Sequence, residues 1–205
     1  MRKYRRFLLP LAGLAAALAL SVPFLFWYQT WFGRKLSEAE IGRCLEPIAR
    51  PRDMQHALSQ LGAGMERGEG EARQWYPEIA ALSRHEEAQI RLMTAWVMGQ
   101  DNQSGLFHEA LLTALKDPEV MVRRNAALAL VRFGDASGRA ELDRVLQSGT
   151  DETQVWEALR GLYLVGQPGD LAAVSEYQQK SRSVSGAVRA QAELTAQAIR
   201  MRTAQ

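Results

Sequence analysis

The strongest constraint on this chain is an internal repetition with a period of about 32 residues. Ile90-Arg91-Leu92-Met93-Thr94-Ala95-Trp96-Val97-Met98 is followed at that distance by Val122-Arg123-Arg124-Asn125-Ala126-Ala127-Leu128-Ala129-Leu130. The segments ahead of these match at the same offset, Trp75 with Phe107 and Ile79 with Leu111. Val188-Arg189-Ala190-Gln191-Ala192 echoes Val122–Ala126 two periods on, and Leu159–Gly166 fills the place between. A unit of this length is one supersecondary element that cannot bury its apolar side alone, so neighbours must stack. Within the units apolar residues recur at spacings of three and four, the helical period, and strand patterns are nearly absent.

Each unit reads as a helical hairpin. In the clearest one, helix A spans Ser104 to Lys116 and turns Phe107, Leu111, Leu112 and Leu115 inward. Asp117-Pro118 makes the turn, since Asp caps free N–H groups and Pro has its φ preset for a first helical turn. Helix B starts near Glu119, buries Val122, Ala126, Ala129, Leu130 and Phe133, and ends at Gly134. Ahead of the repeats, Ser37-Glu38-Ala39-Glu40 is a capping box, and Pro51 opens a second helix carrying Met54, Leu58 and Leu61. Residues 36–70 are thus expected to form a capping hairpin. Gly62-Ala63-Gly64 and Gly68-Glu69-Gly70 are expected to act as a flexible joint, with the repeat domain over residues 71–202.

Asp117-Pro118-Glu119-Val120-Met121-Val122-Arg123-Arg124-Asn125-Ala126-Ala127-Leu128-Ala129-Leu130 resembles the turn and second helix of HEAT-like repeats, in the short form also seen in phycobiliprotein-lyase relatives. The resemblance runs from about Arg73 to Arg202. It implies an all-α solenoid in which the turn Asp and the helix-B Arg, Asp117 and Arg123, take part in a ladder between adjacent units. In the first unit His85 replaces the Asp and Arg91 is kept; in the third no Arg stands at the equivalent place.

The amino-terminal segment leads to a second expectation. Phe7 to Tyr28 carries no charge; Arg2, Lys3, Arg5 and Arg6 precede it, and Arg34 and Lys35 follow. At ~1.5 Å per residue the run reaches roughly 33 Å, enough for a ~30 Å hydrocarbon core. Trp27, Tyr28, Trp31 and Phe32 have the composition of an interfacial belt. The sequence therefore predicts a cytoplasmic basic tail over residues 1–6 and a transmembrane signal-anchor helix over residues 7–32. The excess of basic residues before the span places the repeat domain on the periplasmic side of a bacterial inner (plasma) membrane. The competing reading is a signal peptide cleaved near Ala17-Leu18-Ala19.

Composition excludes more chemistry than it suggests. Beyond residue 36 the chain is mildly acidic, which argues against nucleic-acid binding. No phosphate-binding glycine loop, nucleophile elbow or zinc pattern occurs, and the single cysteine, Cys44, permits no internal disulfide. Repeats of this class hold a di-iron centre in deoxyhypusine hydroxylases through symmetric His-Glu pairs. Here His85-Glu86 lies at a turn and His108-Glu109 on a helix A, so the symmetric cage is missing and no metal, cofactor, catalytic residue or small-molecule substrate is expected. The outward positions of the B helices name a partner-binding set instead: Trp96, Gln100, Arg124, Asn125, Arg132, Trp156 and Arg160. Aromatics and arginines suit a protein interface, although Trp96, Leu128 and Trp156 could equally pack between repeats. The expected function is a non-enzymatic, membrane-tethered scaffold for an envelope protein. The alternatives are a cofactor- or chromophore-binding accessory of the lyase or chaperone kind, or a small structural subunit of a membrane complex.

Overall fold

The computed structural model describes residues 17–25, 34–149, 151–179 and 184–204. Residues 17–25 are helical and are called α1. The elements that follow are α2 (Glu38–Leu45), α3 (Pro51–Glu66), a 3₁₀ turn Gly70–Trp75, α4 (Tyr76–Leu82), α5 (Ala88–Met98), α6 (Gly105–Ala114) and α7 (Val120–Arg132). After a 3₁₀ turn Ala136–Gly138 come α8 (Arg139–Ser148), α9 (Glu152–Val165), the 3₁₀ turn Pro168–Asp170, α10 (Leu171–Gln179) and α11 (Gly186–Thr203). No strand occurs among the described residues. From α2 onward they pair into five hairpins, and the second helices form one continuous layer in the order α3, α5, α7, α9, α11.

The local signals act as chemistry requires. Glu40 reaches back to accept hydrogen bonds from the Ser37 N–H (2.9 Å) and hydroxyl (2.8 Å) at the start of α2. Gly134 ends α7 at φ 73°, a left-handed conformation suited to glycine. There the Asp135 N–H donates to Leu130 O and the Gly134 N–H to Val131 O, satisfying the last carbonyls in a Schellman motif. Turn carboxylates recur: Asp101, Asp117, Asp135 and Asp151 each accept from the N–H two residues on. His85 does the same through Nδ1, accepting from the Glu87 N–H at 3.0 Å, so the ring replaces the aspartate in its capping role.

Two expectations are corrected. Gly62, Ala63 and Gly64 do not form a joint; they lie inside α3, where Gly62 and Gly64 are buried. Met54, Ala57, Leu58, Leu61 and Met65 give α3 a continuous apolar stripe, and that burial outweighs the roughly 1 kcal/mol cost of each internal glycine. The single-pass, inner-membrane localisation with a periplasmic body is also overturned: no helix among the described residues is long and apolar enough to cross a membrane. Much of the expected span, including the belt residues Trp27, Tyr28, Trp31 and Phe32, lies outside the described residues.

The interior divides into two clusters. One runs from Leu36 to Leu130 and includes the fully buried Met54, Leu58, Ile79, Ile90, Phe107 and Leu111. The other gathers Leu142, Leu146, Leu159, Leu162, Tyr177 and Ile199. They meet on α7, which gives Val122, Ala126, Ala129 and Leu130 to the first and Ala127 and Val131 to the second. Small residues set the separation of the layers there. A Cβ on Gly138 would lie 2.6 Å from Ala127 Cα and 2.8 Å from its Cβ, against backbone that cannot swing away. Gly138→Ala is therefore expected to destabilise the fold by about 1–3 kcal/mol, the range for overpacking. Gly169→Ala, where nothing lies within 4 Å, should leave the urea midpoint nearly unchanged in the same experiment.

Candidate interaction surface

The ladder between units defines one edge of the repeats. Arg91 Nε and Nη2 donate to Asp117 Oδ2 and Oδ1 at 2.6 and 3.0 Å, while its Nη1 donates to the carbonyls of His85 and Glu86. Arg123 repeats the second half of this pattern on the carbonyls of Asp117 and Pro118. Its acid is not a turn Asp but Glu141 of α8, at 3.3 Å and nearly buried. Arg139 then pairs with Asp170 through two bonds of 2.8 and 2.7 Å. The ladder thus links α5, α7, α8 and the Pro168–Asp170 turn, with its acids supplied at irregular intervals. Burial alone would push Asp117 up, yet the Arg91 guanidinium and the Glu119 N–H hold its carboxyl below the usual range. Asp143 behaves oppositely: burial, then the charge of Asp170, push it up to about 6.

The B-helix layer carries the seven residues expected to bind a partner, and the structure divides them by role. Trp96 is 41% exposed. Its ring also lies over α3, where a Cβ on Gly62 would approach Cζ3 to 2.7 Å. Trp96 therefore both packs between units and presents an aromatic surface. Leu128 packs toward Gly161 of α9. Arg160 is exposed, its guanidinium 5.5 Å from the centre of the half-buried Trp156 ring. Arg124 is half-buried, and its Nε and Nη1 are themselves buried with no hydrogen-bond acceptor among the described residues.

The remaining three tie adjacent B helices together. Asn125 Nδ2 donates to Leu92 O at 3.3 Å. Arg132 Nη1 donates to Gly99 O (3.0 Å) and Gln100 Oε1 (2.9 Å), placing a cation on the free carbonyls at the end of α5. Asn102 Nδ2 donates to Arg132 O at 2.7 Å and closes the cluster. Sequence reasoning missed that Arg202 treats α9 in the same way, donating to the carbonyls of Leu162, Tyr163 and Gly166. The available signal was an arginine in the last turn of each of these B helices. Thus Trp96, Arg124, Trp156 and Arg160 retain surface or donors that the fold does not use, whereas Gln100, Asn125 and Arg132 are engaged in it.

The histidines are occupied as well. His108 Nε2 lies 2.6 Å from Asp135 Oδ2, joining α6 to the turn after α7. His56 Nε2 lies 2.9 Å from Arg34 O. Among the described residues no group of three His, Cys, Asp or Glu side chains converges as a metal site would require.

This architecture, stacked hairpins joined by buried ion pairs and a continuous layer of second helices, defines an α-helical repeat protein. Residues 76–162, from α4 through most of α9, match the family model described as HEAT repeats. Among solved structures the chain is similar to the crystal structure of an engineered protein, with a TM-score of 0.55 and 17% identity over 75% of this chain and 76% of that one. At that identity the likeness speaks for the fold alone. No curated protein matches the chain.

Proposed function

We propose that the chain is a non-enzymatic scaffold that holds a protein partner on its B-helix layer, with Trp96 as the central anchor. The observation that carries this reading is Trp96 itself, a large aromatic kept 41% exposed while α3 and Gly62 fix its ring. A pre-ordered aromatic loses little entropy on binding, and tryptophan and arginine dominate the energetics of protein interfaces. Arg160, exposed on α9, supplies donors for carboxylates, and Arg124, whose Nε and Nη1 are buried without an acceptor among the described residues, lies on α7 between Trp96 and Arg160, so the complementary segment carries apolar and acidic side chains. The match to HEAT repeats supports the same reading, since stacked helical repeats present extended binding surfaces.

Trp96→Ala combined with Arg124→Ala and Arg160→Ala is expected to weaken partner capture at least tenfold, which is ~1.4 kcal/mol or more. Captured proteins would be compared between wild-type and variant full-length chains in the same native extract. Arg132→Ala, an inter-unit tie, should instead lower thermal stability. A partner retained equally by wild type and the triple variant would sink the proposal.

A further inference from the structure

Helix α11 leaves one side without a neighbour among the described residues. α11 turns Val188, Ala192, Thr195, Ala196 and Ile199 into the second core, packing on α9 and α10. On its other side Ala187, Ala190, Leu194, Gln197 and Met201 are exposed, at alternating spacings of three and four. Leu194 is 52% and Met201 62% exposed. Two periods earlier, Ala127, Leu128 and Val131 of α7 stand at the places of Glu193, Leu194 and Gln197 and pack on the following unit.

We propose that this side of α11 is a homodimer contact, occupied by α11 of a second copy running antiparallel across a two-fold axis between residues 195 and 196. The occupant follows from the sequence of the stripe itself. An antiparallel helix pair alternates its seam positions between the two chains and sets like flanking positions opposite one another. With Leu194 over the second copy's Gln197, Met201 falls over its Ala190, a long side chain above a short one. In that register Glu193 meets the second copy's Arg200, and Arg200 meets its Glu193, so both flanking pairs are attractive. A parallel arrangement would oppose Glu193 to Ala198 and form no ion pair. The contact is isologous, as a closed dimer requires, and Ala187, Ala190 and Ala198 allow close approach of the helices. One helix pair is small for a protein interface, so the dimer is expected to be reversible.

Sedimentation velocity of the full chain over a concentration series tests this, using Leu194→Glu, Glu193→Arg, Arg200→Glu and the double reversal Glu193→Arg/Arg200→Glu. The wild type should move from monomer to dimer as concentration rises, while Leu194→Glu stays monomeric throughout. Each single reversal should raise the dissociation constant about tenfold through like charges placed opposite one another, and the double reversal should restore it. All these positions are exposed, so thermal unfolding of the monomer should not change. A wild type that remains monomeric throughout overturns the proposal. So does self-association that Leu194→Glu leaves intact, or a double reversal that fails to recover what the single changes lost.

Discussion

Replacing Asp117 with alanine is expected to lower unfolding stability by about 3–5 kcal/mol, the cost of leaving one partner of a buried ion pair alone. The pair qualifies because the side chains of Arg91 and Asp117 are only 12% and 7% exposed and meet through two bonds. The change also frees the Glu119 N–H at the start of α7. In a domain of this size the melting temperature should fall by roughly 10 °C. Urea denaturation of Asp117→Ala, Arg91→Met and the double variant Arg91→Met/Asp117→Leu would locate the effect. The double variant should recover much of the loss, since an apolar pair leaves no charge behind. Arg50→Ala removes an ion pair whose arginine is 83% exposed and should change stability little. Equal small losses from Arg50 and Asp117 would show that the ladder does not hold the units together.

The second large effect depends on pH. The Asp143 carboxyl is pushed up to about 6 by burial and by the neighbouring charge of Asp170, which Arg139 and the Gln167 N–H hold ionised. The folded chain therefore keeps a proton on Asp143 up to about pH 6, whereas the unfolded chain releases it near pH 4. Folding takes up that proton between these limits, so its contribution is complete below about pH 4 and is lost as pH rises through 6. A shift of this size corresponds to at most about 3 kcal/mol. Asp170 has the opposite sign: its carboxyl is held low, and its stabilisation is lost only as pH falls below the ordinary range. Asp143→Asn is expected to remove the fall in stability between pH 4 and 6 and to exceed the wild type at pH 7. Chemical denaturation across pH measures both, and parallel profiles for the two proteins would refute the assignment.

The hairpins were legible because their signals are local. The 32-residue period, the Asp117-Pro118 turn and the Gly134 stop each act within a few residues, and α6 and α7 fall where these place them. The ladder was legible only where it keeps the period. Glu141 escaped because its acid sits on α8 after an inserted 3₁₀ turn, and no spacing rule carries Asp117 to it. Gly62 misled for a related reason. Its meaning depends on Trp96, 34 residues away, whose ring occupies the space that a side chain would fill. The outward positions could be counted on a helical wheel, but their bonding partners could not. Arg132 and Arg160 look alike in sequence, yet Arg132 is held by the end of α5 whereas Arg160 is exposed beside Trp156.

The division of the interior along α7 bears on how occupancy of this surface could be felt elsewhere. Because α7 gives Ala126 and Leu130 to one cluster and Ala127 and Val131 to the other, either half can loosen while α7 keeps its remaining support. A ligand touching only Trp96 would quiet openings in the first half and leave the second as it was. One long enough to bridge Trp96 and Trp156 would fasten the halves to each other. Backbone amides of α11, which packs on α9, would then exchange with solvent more slowly, and the length of the bound segment would be written into the dynamics of the helix beyond Trp156.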